Sequence, residues 1–100
     1  MIRGTTPTHI FSLPVSAETI KTIRVVYAQN DVIKLTKKNE DCTMSGNSVT
    51  IKLTQEDTFL FDDDACVDVQ VRVLTNSGDA LASRVMRIHC EECLSDEVLS

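Results

Sequence analysis

The chain has 100 residues, 42% of them hydrophobic and 25% charged, and a net charge of −5. This length makes one domain with one core, and the composition excludes both a disordered chain and a membrane-embedded one, since no apolar run approaches the roughly 20 residues of a spanning helix. The basic residues are scattered apart from Lys37 and Lys38, so nucleic acid is excluded as a partner for want of a contiguous basic face, and the acidity reads as solubility.

The opening MIRGTTPTHIFSLP carries one arginine and no apolar block of the length a secretory signal needs, which points to folding in a cytoplasm. Within it, residues 8–13 are bracketed by Pro7 and Pro14. Proline cannot donate to a ladder, so this is a short edge strand, with Phe11 and Leu13 inward. Residues 20–28, IKTIRVVYA, place Ile23, Val25 and Tyr27 on one face. Asn30 and Asp31 tolerate positive φ and turn the chain into a hairpin partner at 32–36. A second hairpin joins 42–44 to 48–53 through Ser45, Gly46 and Asn47, with Val49, Ile51 and Leu53 alternating with polar residues. Thr54 is placed to cap one helical turn over residues 55–57, after which Phe59 and Phe61 plug one end of the core.

The clearest signal is the last one. Residues 65–74 read ACVDVQVRVL, with Val67, Val69, Val71 and Val73 on one face and Asp68, Gln70 and Arg72 on the other. The turn TNSGDA follows, and LASRVMRIHC returns as the partner strand. On that strand Leu81 and Val85 share one parity while Met86, Ile88 and Cys90 hold another alternation, which predicts a bulge at 84–86. Seven strands, with helix under about 10% of the chain, describe an all-β, seven-stranded immunoglobulin-like sandwich. Its domain spans 1–94 with a short acidic tail at 95–100, and its core includes Val25, Ile51, Phe59, Val69 and Val71. The cysteine framework of true immunoglobulin domains is absent: the second strand has no cysteine and the chain has no tryptophan.

Sequence constellations that carry chemistry are poor, and no catalytic, cofactor-binding or metal residue is assigned. His9 and His89 lie on strands far apart in the chain, and no nucleophile elbow, glycine-rich loop or HExxH stretch accompanies them. The chain reads as a non-enzyme without a cofactor. Cys42, Cys66, Cys90 and Cys93 allow three disulfide pairings or part of a metal site, but in a cytoplasmic protein with a core they read as free thiols. Cys90 and Cys93, preceded by His89, have ligand spacing but lack the further ligands of a zinc site. Asp62, Asp63 and Asp64 lack the alternating spacing and bidentate glutamate of a calcium loop and read as a solvated turn.

The opening MIRGTTPTHIFSLP, the alternation IKTIRVVYAQNDVIKLTK, the turn KLTQEDTFLF, the hairpin VDVQVRVLTNSGDALAS and the tail LSDEVL together cover nearly the whole chain. In them it resembles small proteins encoded among the tail genes of phages and prophages of Firmicutes. More distantly it is similar to the N-terminal β-sandwich of the upper baseplate protein of phages infecting Gram-positive hosts. The most specific pieces are Leu53, Thr54, Gln55, Asp57 and Thr58 in the turn, and Val69 to Val73, Gly78 and Ser83 in the hairpin. The resemblance implies a structural protein of a virion tail or baseplate, made in the bacterial cytoplasm. Its partners would be other tail or baseplate proteins, or further copies of itself, with neither nucleic acid nor membrane among them. The chain departs from the baseplate protein in having no long helix or coiled coil after the domain, and in its four cysteines. A free-standing binding or adhesion module is the alternative, and an enzyme or metalloprotein built around Cys90 and Cys93 is the third reading.

Overall fold

The computed structural model describes residues 1–63 and 65–100. Eight strands form two antiparallel sheets: β1 (Thr8–Ser12), β2 (Ile20–Gln29), β3 (Val32–Lys37), β4 (Cys42–Ser45), β5 (Ser48–Lys52), β6 (Ala65–Thr75), β7 (Ala80–Ala82) and β8 (Met86–Cys90). The smaller sheet has the order β1-β5-β4, and the larger runs β3-β2-β6-β7, with β8 also pairing β6. The protein is therefore all-β. Helix is confined to α1 (Gln55–Phe59) and two 3₁₀ turns at Ala17–Thr19 and Asn39–Asp41, which take helical content just past the expected limit.

Alternation decides which residues meet between the sheets. Ile23, Val25, Tyr27, Val67, Val69 and Val71 of the larger sheet are fully buried, and Val49 and Ile51 of the smaller one face them. Phe11 stands edge-on to Tyr27 across the sheets, 6.4 Å between ring centroids, and Phe61 closes on Tyr27 from the end at 5.8 Å. Edge-to-face contact adds to the burial of these rings, because ring edge and face carry opposite partial charge. Phe61 thus plugs the core, whereas Phe59, expected beside it, is only half-buried and lies outside the core cluster. Its ring instead receives the Arg3 guanidinium at 5.4 Å.

The eighth strand is the physical outcome of the slipped alternation. Arg72 pairs Ala82 on one side of the slip and Val69 pairs Met86 on the other, so residues 83–85 oppose only Gln70 and Val71. One extra residue enters the returning strand, as in a β-bulge, and divides it into β7 and β8. Ser83 holds the break together: its N–H donates to the Val71 carbonyl at 2.8 Å, and its Oγ accepts from the Val71 N–H at 3.0 Å.

Turns and caps follow the local chemistry. Asn30 and Asp31 adopt φ of 50° and 64° between β2 and β3. Thr54 and Asp57 form a reciprocal capping box, the Asp57 N–H donating to Thr54 Oγ1 at 3.0 Å and the Thr54 N–H to Asp57 Oδ2 at 2.9 Å. This box is why so short a helix persists, and α1 runs two residues past the single turn expected. The first residues cross α1: the Gly4 N–H donates to Thr58 Oγ1 at 2.9 Å, and Ile2 forms a parallel bridge with Glu91. The C-terminal segment folds back on the same helix, with the Gln55 amide donating to the Leu99 carbonyl at 3.0 Å and accepting from its N–H at 2.8 Å.

Candidate interaction surface

The four sheet edges differ in what guards them. β3 carries Lys34 and Lys37, whose half-buried side chains pair with Asp62 and Asp57 and so tie this edge to α1 and the residues after it. The β7–β8 edge is broken by the bulge. β4 lies beside the two 3₁₀ turns. β1 has no such cover, and its phase is fixed by the bonds at its two ends: the Leu53 N–H donates to the Pro7 carbonyl and the Leu13 N–H to the Asn47 carbonyl, at 3.0 and 2.7 Å. Alternate residues of an antiparallel strand bond to opposite sides, so His9 and Phe11 bond to β5 while Thr8, Ile10 and Ser12 turn their backbone groups outward. Ile10 is 68% exposed at the middle of this edge.

A second surface is the outer face of the larger sheet. Two shallow grooves lie end to end on β2 and β6. One, of about 310 Å³, has Val26, Ala28 and Gln70 on its floor and Ile33 and Val85 on its walls. The other, of about 260 Å³, is lined by Thr22, Arg24, Arg72, Leu74 and Ala80. Ile33 and Val85 are 64% and 55% exposed. Arg24 and Arg72 stand directly opposite each other in the ladder, an arrangement that is unfavourable for like charges. Among the described residues neither makes a salt bridge; Arg24 bonds instead to the Asn39 amide oxygen at 3.2 Å.

The ionisable groups between the sheets are structural in their geometry. His9 Nδ1 and the Tyr27 hydroxyl share a hydrogen bond of 2.8 Å, so His9 faces the space between the sheets. Burial, helped by the N-terminal ammonium, lowers the His9 pKa. Burial also pushes the Tyr27 hydroxyl far above its ordinary value, with Cys42 and Asp57 adding to it. Lys37 Nζ donates to Asp57 Oδ2 at 2.8 Å, with side chains only 13% and 15% exposed. Burial alone would raise the Asp57 carboxyl, but its bonds from Lys37 and Thr54 outweigh this and hold it below the usual range. Gln29, fully buried, donates to the Asp62 carbonyl at 2.9 Å and accepts from its N–H at 2.7 Å. Neither pair is announced by spacing. The signal that could have found Gln29 is its parity with Ile23, Val25 and Tyr27.

The cysteines are scattered rather than gathered. Cys90 is buried on the inner face and Cys93 half-buried beyond β8, while Cys66 is exposed and Cys42 half-buried, all four as free thiols. Burial raises the thiol pKa of both Cys42 and Cys90. His89 is exposed where Cys90 is buried, so neighbouring residues of the CxxC stretch point to opposite sides of the sheet. Among the described residues no three His, Cys, Asp or Glu side chains are grouped to hold a metal ion. Asp62 is exposed and Asp63 half-buried; Asp64, the third residue of the acidic run, lies outside the described residues. No helix among the described residues is long and apolar enough to cross a membrane. Compared with protein-family models, with curated proteins and with solved structures, the chain matches none.

Proposed function

We propose that this chain is an immunoglobulin-like sandwich serving as a structural module of a phage or prophage tail or baseplate, and that it works by protein–protein assembly rather than catalysis. The strand order supports the fold reading. β1, β5 and β4 take the places of strands B, E and D, and β2, β3 and β6 those of C, C′ and F, with β7 and β8 together as one interrupted G strand. On that count the strands number seven. The tail reading rests on the sequence resemblance, and the partners it names are other tail or baseplate proteins and further copies of the chain.

The observation that carries the assembly reading is the open β1 edge, where Thr8, Ile10 and Ser12 aim unpaired backbone groups outward beside an exposed Ile10. Such an edge accepts an added strand from a partner. The test uses the full chain as bait for the products of the reading frames beside its own, which are expected to be tail components. Ile10→Pro removes an outward N–H that β5 does not use, so the ladder is kept while strand addition is blocked. Retention by the unaltered chain and its loss in Ile10→Pro support the reading. Failure to retain any tail protein overturns it and moves the free-standing binding module ahead.

A further inference from the structure

The outer face of the larger sheet and the C-terminal segment complement each other in charge and in apolar pattern. Along β2 and β6 the face runs from an apolar groove walled by Ile33 and Val85, through the Arg24 and Arg72 pair, to Leu74 and Ala80. Residues 94–99, Leu-Ser-Asp-Glu-Val-Leu, run from an apolar residue through two carboxylates to two apolar residues. The lengths also agree. The two grooves together run over seven residues of each strand, 22–28 and 68–74, roughly 20 Å, and four steps of extended chain from Leu94 to Val98 span roughly 13 Å, within that length.

The segment leaves apolar side chains in water, and among the described residues the arginines of the face have no carboxylate partner. Leu94 is 96% exposed and Leu99 70% exposed, so the contacts that hold the segment on its own molecule bury neither side chain. Those contacts are the Gln55 bonds to the Leu99 backbone and an ion pair from Arg3 to Asp96 at 3.3 Å, with the carboxylate side chain largely in water. Exposed ion pairs of this kind hold little. Among the described residues that line the grooves, the carboxylates are Asp68, which Arg87 pairs at 3.1 Å, and Asp31 at the far end from the arginines. A protein of net charge −5 thus keeps on one face two arginines that form no ion pair among the described residues, Arg24 donating to the Ile23 carbonyl and the Asn39 amide oxygen and Arg72 lying exposed.

We infer that residues 94–99 of a second copy dock along this face in extended form, with Asp96 over Arg24 and Arg72 and Leu94 and Val98, which share its side of the chain, in the two grooves. On its own molecule the segment is held at α1 by the Gln55 bonds to Leu99, which favours a neighbour over self-docking. The contact joins different surfaces of the two copies, so it generates rings or linear arrays rather than closed pairs. It extends the assembly reading and rests on it for its biological setting, but it uses a surface separate from the β1 edge.

Sedimentation of the full chain over rising concentration, at low and high salt, tests the contact. Self-association is expected, weakening as salt screens the charges. Arg24→Glu with Arg72→Glu, and separately Asp96→Lys with Glu97→Lys, are each expected to weaken it at least about tenfold, with circular dichroism and Tm showing each variant folded. Mixing the two variants one to one is expected to restore association, because each reversed face then meets a reversed segment and each original face an original one. A strict monomer at all concentrations overturns the inference, as does association that neither reversal changes. If the monomer's Arg24 and Arg72 reversal shifts the amide resonances of 94–99, the segment lies on its own sheet, and the second copy is ruled out. A monomer that still captures tail proteins through β1 sinks this contact and leaves the assembly reading standing, whereas loss of both removes both.

Discussion

Tyr27 of one sheet and His9 of the other are joined by a 2.8 Å hydrogen bond inside the sandwich. This bond links the sheets through a group that titrates near neutrality. Burial lowers the His9 pKa in the folded protein, so the unfolded chain takes up a proton on this side chain first. Stability is therefore full above the unfolded value of about 6.5 and declines as pH falls from there toward the folded pKa. Melting between pH 7.5 and 5 should show a falling Tm in the native chain. His9→Gln, which keeps a hydrogen-bonding group but cannot titrate, should show a flatter profile over that range. Equal slopes for the two proteins would show that His9 is not the group responsible.

Val71 lies at the centre of the larger sheet with no exposure. Val71→Asp places a carboxylate where no cation can reach it, at a cost of several kcal/mol against a total stability of about 5 to 15 kcal/mol. The variant is expected to be unfolded or molten, with loss of near-ultraviolet circular dichroism and of dispersed amide resonances. A folded, soluble Val71→Asp protein would mean that this face of β6 is not buried.

Ser83→Ala removes one hydroxyl but leaves the Val71 N–H without its 3.0 Å acceptor. An unsatisfied, partly buried donor costs about 1 to 3 kcal/mol, so chemical denaturation should show a loss of that size. Ser83→Thr keeps the hydroxyl and should retain most of the stability. Faster hydrogen exchange at Val71 in the alanine variant would locate the damage at the bulge.

Gly4 adopts φ of +77°, and a Cβ there would meet the Phe59 ring at 2.6 Å. Gly4→Ala therefore carries both the left-handed backbone cost of about 1 to 2 kcal/mol and displacement of the ring. Gly46→Ala, at φ +57° with open space around it, carries the backbone cost alone. Denaturant midpoints should fall in both and further in Gly4→Ala, with a double change to Phe59→Ala narrowing the difference.

Most of the ladder was legible because burial on one face forces period-2 alternation. Val67, Val69, Val71 and Val73 announced β6, Ile23, Val25 and Tyr27 announced β2, and Asn30 and Asp31 marked their turn by tolerating positive φ. The bulge was legible from Met86 breaking the parity of Leu81 and Val85, although its effect of splitting the strand was not, since division depends on where the ladder bonds resume. Phe59 was misplaced because alternation treats Phe59 and Phe61 alike, while α1 ends between them and turns their side chains apart. The interaction surfaces were legible only in part. The proline brackets marked β1 as an edge, but the cross-strand meeting of Arg24 and Arg72 is set by the pairing register of β2 with β6, which neither segment encodes alone.

The brackets around β1 also set a limit on valence. Of the two prolines only Pro14 falls in the outward phase, since Pro7 faces β5, so a strand added along Thr8, Ile10 and Ser12 would find a few backbone bonds and then no donor at Pro14. On the proposed assembly reading, affinity through this edge alone would be modest and one site would take one strand. On that reading, growth into an endless stack of strands would be interrupted at the same point, so the edge would be open to a partner without templating fibres.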